Sequence, residues 1–146
     1  MSFRNSKILT TTLVCAIAAI GLSVPLGRLA ARAQDAPADQ LEALKGDGET
    51  IYARDCASCH GAEGTSDGAG PALDSNNNLA NKEHVIKRIL GGSPEKGMEA
   101  FGKTLSDHDI AAAATYVRNA WNNTFGIVLE SDVAPLRAQM KIQKTK

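Results

Sequence analysis

Two cysteines and a histidine lie within five residues of one another, at Cys56, Cys59 and His60. Thiols separated by two residues on one turn can both bond to a single prosthetic group, and an imidazole on the next residue can bind a metal at its centre. This Cys-Ala-Ser-Cys-His sequence is the attachment motif of c-type haem, in which the thiols reach the two vinyl groups of one porphyrin. The motif predicts one covalent haem c, with His60 as a ligand of the iron.

Three other interpretations of the motif are open. Two thiols with this spacing also form redox disulfides, but the thioredoxin-like version occurs in a βαβ setting, of which the sequence shows no pattern. Zinc would need further Cys or His ligands, and the third cysteine, Cys15, lies in a segment predicted to be removed. The motif can also arise by chance. An export signal in the same chain and a small supply of large apolar side chains favour haem.

The second axial ligand of the iron is the next question, because it separates electron carriers from oxygen binders and enzymes. Met98 is predicted to be that ligand, since it lies in a glycine-flanked loop and not on a helical apolar stripe. The alternative is that Met98 fills a gap in the core. Met140, in a Lys-rich tail, is expected to have little to pack against, and His84 and His108 are expected to be solvated. Ligation by histidine and methionine implies a comparatively high potential.

The N-terminal segment has the features of an export signal. Two basic residues precede an apolar run over residues 8–22, and the sequence Ala-Arg-Ala at 31–33 has small residues at both critical positions of a cleavage site. A retained anchor is the alternative, but the run is shorter than the roughly 20 apolar residues of a spanning helix. Residues 1–33 are therefore predicted to be a cleaved signal peptide of a periplasmic protein that starts at Gln34 and keeps no stable membrane span.

The charge and composition exclude some partners. The whole chain has 16 basic and 16 acidic residues, and removal of residues 1–33 leaves 12 basic residues and a formal charge of -4. This balance argues against nucleic acid and for a partner with a basic or neutral patch.

The aromatic residues after the signal are few: Tyr52, Phe101, Tyr116, Trp121 and Phe125. A small domain with so few large side chains usually needs a cofactor or another staple.

The rest of the chain predicts an all-α fold with long loops. Residues 34–46 are polar and are predicted to be a flexible leader, followed by a helix that Asp47 caps and that ends near Cys56. A second helix is predicted from an Asn81 cap to Gly91. The loops on either side of this helix are long enough to suggest that they wrap something.

A third helix is predicted from residue 106 to about Trp121. Ser106 with Asp109 resembles a capping box, although Asp replaces the usual Glu, and apolar residues follow at helical spacing. The sequence shows no alternation typical of strands and no internal repeat.

In their order and spacing these pieces resemble the class I cytochrome c family over about residues 46–121. The resemblance depends on the haem motif with Ile51-Tyr52 before it, on Gly70-Pro71-Ala72-Leu73, on the Met98 loop, and on Leu105-Ser106-Asp107 leading into Ala114-Thr115-Tyr116-Val117-Arg118. It implies three core helices around one edge-exposed haem, with the first and last helices crossing. It also implies that the His60 ring bonds the Pro71 carbonyl and that Leu73 belongs to the cofactor site.

The resemblance also implies a division of the chain and a function. Residues 47–122 form the cytochrome c domain and residues 123–146 a C-terminal extension, and residues 116–137 resemble the ending of bacterial mono-haem domains that accompany periplasmic dehydrogenases. The implied function is electron transfer without catalysis, from a periplasmic dehydrogenase to a terminal oxidase or another cytochrome. A permanent subunit of a dehydrogenase complex, and a haem protein that acts on peroxide or a small gas, are the alternatives.

One departure from the family concerns the Met98 loop. Many relatives have proline directly after the ligand methionine, where this chain has Glu99. The rigidity of the loop is therefore left open by the sequence.

Overall fold

The computed structural model describes the backbone of residues 27–66 and 68–144 and the side chains of residues 38–66 and 68–141. Within this part the chain is helical and has no strand, which confirms the all-α class. No helix in the described part is both long and apolar enough to cross a membrane. The helices are α1 (Gly27–Asp55), α2 (Ala57–His60), α3 (Lys82–Gly91), α4 (Asp107–Asn119) and α5 (Glu130–Lys144), with short 3-10 helices at Asn77–Ala80, Pro94–Lys96 and Phe101–Lys103. The apolar run over residues 8–22 lies outside the described residues.

The contact between α1 and α4 is the most extensive in the fold. Gly48 of α1 lies so close to α4 that a Cβ atom on it would be 2.1 Å from the carbonyl oxygen of Ala112. Four consecutive alanines at 111–114 are buried on the facing helix. Small residues on both sides let the two backbones approach closely. The first and last core helices therefore pack against each other, as the family resemblance implies.

The predicted caps of α3 and α4 are confirmed. The Asn81 side chain accepts a hydrogen bond from the amide three residues on, at 3.0 Å. Ser106 and Asp109 form a reciprocal capping box, with hydrogen bonds of 2.9 and 3.1 Å. The end of α3 differs slightly from the prediction, because Gly91 is its last residue and the residue that ends it is Gly92, whose φ of 67° favours glycine.

The predicted flexible leader over residues 34–46 is wrong, because α1 runs without a break from Gly27 to Asp55. Leu44 is buried in the core, which gives this segment a packing contact that its polar composition does not indicate. Lys45 and Glu42 form an ion pair of 3.1 Å on the outer face. Alanine, leucine, glutamate and lysine are also good helix formers. Asp47 consequently lies inside α1 and is not its cap.

The C-terminal extension packs on the core. Val128 and Val133 are fully buried, and the Thr115 hydroxyl of α4 bonds the Val128 carbonyl at 3.1 Å and its amide at 2.9 Å. Helix α5 lies against both α3 and α4. The prediction that Met140 has little to pack against is wrong, because its methyl group lies over Gly91 at the end of α3.

His108 joins three parts of the fold. Its Nε2 lies 3.2 Å from a carboxylate oxygen of Asp47 on α1, and its Nδ1 lies 3.2 Å from one of Glu130 at the start of α5. The hydrogen bond to Asp47, with a further contribution from Glu130, raises the pKa of His108. Although His108 is half-exposed, as expected of a solvated histidine, it is bonded to two carboxylates.

The raised pKa of His108 gives a small pH dependence of stability. The group contributes stability that is fully present below its unfolded pKa of about 6.5 and is lost as the pH rises through the folded value. Asp47, Glu130 and the neighbouring Asp109 are the charged groups that face it. We expect His108→Gln to lower the free energy of unfolding more at about pH 6 than at about pH 8.5, by less than about 1 kcal/mol because the pairs are exposed. Denaturant titrations of the haem-loaded protein measure this, and equal losses at both pH values would contradict it.

Candidate cofactor site

One cavity of about 540 Å³ brings together all of the residues predicted to hold the cofactor. Its volume lies within the range of about 300–1,000 Å³ that small-molecule and cofactor sites occupy. The predicted site residues that line it are Cys56, Cys59, His60, Pro71, Leu73 and Met98. These residues come from the turn after α1 together with α2, from the loop after α2 and from the loop between α3 and α4, so three separate segments converge on one site.

His60 is held in an orientation that suits a metal ligand. The ring is buried, and its Nδ1 lies 2.8 Å from the carbonyl oxygen of Pro71. Because a carbonyl only accepts hydrogen bonds, Nδ1 carries the proton and Nε2 of the neutral ring keeps its lone pair. The bond to Pro71 is the one that the family resemblance implies. It leaves the nitrogen that can bind iron free to do so.

Gly70 packs the following loop directly against this ring. A Cβ atom on Gly70 would lie 2.7 Å from the Nδ1 and Cε1 atoms of His60. The Gly70 amide also donates a 2.8 Å hydrogen bond to the carbonyl of Cys59. Only glycine allows so close an approach without displacing the imidazole. The loop therefore fixes the ring as well as bonding it.

The two cysteines are free thiols, Cys56 half-buried and Cys59 exposed. Burial, with a smaller contribution from Asp55, raises the pKa of Cys56 to about 11. A redox-active cysteine needs a lowered pKa to supply thiolate, so the raised value argues against the disulfide interpretation. Among the described residues, no group of three or more His, Cys, Asp or Glu side chains is arranged to hold a metal ion. The thiols, His60 and the cavity instead fit a covalently attached haem.

Met98 is half-buried and its backbone is fixed at both polar groups. Its carbonyl accepts a hydrogen bond from the Ser93 amide at 2.9 Å, and its amide donates one to the Ser93 carbonyl at 3.1 Å. Ser93 is itself buried. The chain between them turns through the 3-10 helix Pro94–Lys96 and the left-handed Gly97. The sequence left the rigidity of this loop open because Glu99 replaces the usual proline. The backbone hydrogen bonds between Met98 and Ser93 supply that rigidity.

Most of the cavity wall is apolar and was not predicted to belong to the site. Sequence periodicity assigns Val85 and Ile89 to the apolar face of α3 and Ala113 and Val117 to that of α4, but it does not distinguish a face against protein from a face against a cofactor. The only sign in the sequence that these faces could line a cofactor site is that α3 and α4 flank the loop that carries Met98. The apolar wall residues that were not predicted are Leu79, Val85, Ile89, Phe101, Ala113 and Val117.

The rim of the cavity contains one of the two histidines that were expected to be solvated. His84 is exposed, as expected, but it lines the cavity together with Arg88 and Lys96. His108 lies elsewhere, between α1 and α5. Met98 is the better placed second ligand because it is half-buried in a fixed loop, while His84 is exposed. The ligand roles of His60 and Met98 stay predictions.

Asn123, in the segment after α4, supports the loop that bonds His60. Its side chain is buried, donates hydrogen bonds to the carbonyls of Leu73 at 2.8 Å and Val117 at 2.9 Å, and accepts one from the Asn76 amide at 3.2 Å. The sequence shows only an Asn-Asn pair, because partners so distant along the chain leave no local pattern. The extension thus takes part in building the site.

Asn123→Ala is expected to lower the free energy of unfolding of the haem-loaded protein by about 3 kcal/mol, since it leaves buried backbone groups unpaired. Asn122→Ala is the matched control. Asn122 is exposed and bonds Asp74 at 2.9 Å, so its loss should cost about 0.5–1 kcal/mol. Denaturant titration of both variants measures the difference, and equal losses would contradict a supporting role of Asn123.

An all-α fold, a haem attachment motif and two candidate axial ligands around one cavity define a c-type cytochrome domain. The model of a family described as cytochrome c oxidase, cbb3-type, subunit III, matches residues 33–117. The match covers more than half of the chain and includes the Cys56 motif and Met98, so the chain belongs to this family. The resemblance to class I cytochromes c is confirmed. Membership supports a haem-based electron-transfer role and haem c as the cofactor.

Proposed function

We propose that the chain is a periplasmic single-electron carrier with one covalent haem c ligated by His60 and Met98. The observation that carries this proposal is the shared cavity: His60 held by Pro71, Met98 held by Ser93, and two thiols all line it. The two thiols would bond the porphyrin, and the side chains of His60 and Met98 would hold its iron. An iron with both axial positions filled leaves no open site for a substrate.

The chain's own residues would hold the cofactor and limit the access of water. When bound, haem c supplies an iron that changes between the ferric and ferrous states and so carries one electron. Pro71 fixes the His60 ring, and Ser93 fixes the backbone of Met98, so that neither ligand has to reorganise between the two states. Val85 and Val117 contribute to an apolar wall that excludes water. The exposed side near Cys59 would be where electrons enter and leave.

The proposed electron donor is a periplasmic dehydrogenase, and the proposed acceptor is a terminal oxidase or another cytochrome. Two features support this choice. Residues 116–137 resemble the ending of domains that accompany such dehydrogenases. The formal charge of -4 after residue 33 favours a partner with a basic or neutral docking surface.

Intact-mass measurement of protein from the periplasmic fraction tests export and cofactor attachment together. We expect a chain that starts at or near Gln34 and carries the mass of one haem that stays attached in denaturing solvent. Export should precede attachment, because the N-terminus has no twin-arginine signal and an unfolded chain with reduced thiols would be transported. A periplasmic chain that starts at Met1 or Ser2 would contradict cleavage. Haem lost on denaturation would contradict covalent attachment.

The second candidate function is that of a permanent subunit of a respiratory complex, either a dehydrogenase or an oxidase. The family description, which names an oxidase subunit, favours it. Size-exclusion chromatography of the native protein from gently lysed cells separates the two candidates. A free carrier elutes at the size of one chain with its haem, whereas a subunit elutes with larger proteins at constant stoichiometry.

A further inference from the structure

Helix α5 contacts the segment that carries Met98 at the C-terminal end of that segment. The Arg137 side chain, which is 16% exposed, donates a hydrogen bond to the carbonyl of Leu105 at 2.9 Å and another to that of Gly102. Its Nε pairs with the Asp107 carboxylate at 2.5 Å. One guanidinium thus connects the end of the methionine loop, defined here as residues 93–105, to the first residue of α4.

The same helix also touches the residues just before this loop. Met140 of α5 packs over Gly91, where a Cβ atom would lie 2.5 Å from its methyl carbon. Gly102 is pressed against α3 in turn, since a Cβ atom on it would lie 2.7 Å from the Leu90 carbonyl oxygen. Helix α5 therefore contacts the chain both just before the methionine loop and at the end of that loop. It lies beyond the residues matched by the family model.

We propose that α5 positions Met98 and that Arg137 sets how firmly Met98 holds the second axial position. The inference rests on the proposed function, in which Met98 is an iron ligand. Before Met98 the loop is fixed by Ser93, and after it the next hydrogen bonds that the described residues make to another helix are those of Gly102 and Leu105 with Arg137. Withdrawal of Met98 from the cavity requires the chain between these two anchors to open. Loss of the Arg137 anchor lowers the free energy of that opening.

Arginine suits this position for a geometric reason. Two carbonyls and a carboxylate lie around one side chain, and a planar guanidinium with five N–H donors can bond all three together. Lysine has a compact charge at the end of a flexible stem and cannot match this arrangement. Arg137→Lys should therefore keep the charge but restore only part of the anchor, which distinguishes hydrogen-bond geometry from net charge.

The experiment measures how readily imidazole displaces Met98 in the haem-loaded ferric protein. The readout is the far-red absorption band that thioether ligation gives ferric haem. In Arg137→Gln, half of the band should be lost at an imidazole concentration about tenfold lower than in the parent, the effect expected when one charge-assisted hydrogen bond is lost from the closed loop. The imidazole concentration that removes half of the band in Arg137→Lys should lie between those of the parent and of Arg137→Gln. Thermal unfolding is recorded for each variant as a separate quantity.

Lys82→Gln is the matched control. It removes the 2.7 Å ion pair of Lys82 with Asp132, which joins α5 to α3 at the other end of α5 and touches no residue of the methionine loop. Its imidazole midpoint should stay within about twofold of the parent value, a difference below half a kcal/mol, whatever its melting temperature.

Three outcomes would overturn the inference or its basis. If Arg137→Gln melts at a lower temperature but keeps the parent's imidazole midpoint, Arg137 stabilises the fold without positioning Met98. If Arg137→Gln does not fold, the imidazole midpoints of Arg137→Lys and Met140→Ala are measured in its place. Midpoints equal to that of the parent in both variants would overturn the proposal. If the parent itself lacks the far-red band, Met98 ligation fails, and the proposed function fails with it.

Discussion

Cys56→Ala combined with Cys59→Ala is expected to yield little folded protein. Without covalent attachment the cavity of about 540 Å³ loses the group that fills it. By the measured cost per unit of cavity volume, an empty cavity of this size costs up to about 13 kcal/mol, which is an upper limit here because the rim opens to solvent. That limit equals the whole stability of a typical domain. The protein has few large side chains to compensate, since the buried face of α4 consists largely of alanine.

Circular dichroism of the double variant measures this effect. We expect low helix content and no cooperative melt. Ser58→Ala, which changes an exposed residue between the two cysteines, is the control and should resemble the parent. Native helix content with a cooperative melt in haem-free double variant would show that the fold does not need the cofactor.

Met98→Ala is expected to have the largest effect on redox behaviour. If Met98 is the second axial ligand, its removal opens that position and removes the preference of the thioether for ferrous iron. The potential should fall by on the order of 0.1 V or more, a modest part of the roughly 0.8 V over which axial ligands set haem potentials. The variant should also gain reactivity with carbon monoxide or peroxide. It would thereby approach the alternative function of a haem protein with an open site.

Two histidine variants are the controls for Met98→Ala. His84→Ala changes another residue that lines the same cavity, and His108→Ala changes a histidine that lies outside it. Both should leave the spectrum and the potential almost unchanged. A Met98→Ala protein with the parent's spectrum and potential would show that the axial assignment is wrong, and a large shift in His84→Ala would indicate the true ligand.

The features that sequence analysis predicted well are local ones. The haem motif, the Asn81 cap and the capping box of Ser106 with Asp109 each depend on residues within a few positions of one another. The bond from His60 to Pro71 spans only one loop and is implied by the family. Such features leave a recognisable pattern because the interacting residues are near neighbours in the chain.

The features that it missed depend on contacts between distant residues. The N-terminal part of α1 is polar enough to suggest a flexible leader, and only the burial of Leu44 against the core shows why it is helical. Asn123 bonds a carbonyl 50 residues away, and Arg137 bonds carbonyls 35 and 32 residues away. No spacing rule identifies such pairs. The C-terminal extension therefore gave no sign, in sequence alone, of its contacts with both ligand loops.

Addition of carbon monoxide to the reduced, purified parent at neutral pH tests the central claim most directly. If His60 and Met98 fill both axial positions, the spectrum of the ferrous protein should not change. Ready formation of a carbon monoxide complex by the parent would show that one axial position is open, and it would contradict the electron-carrier mechanism proposed for this chain.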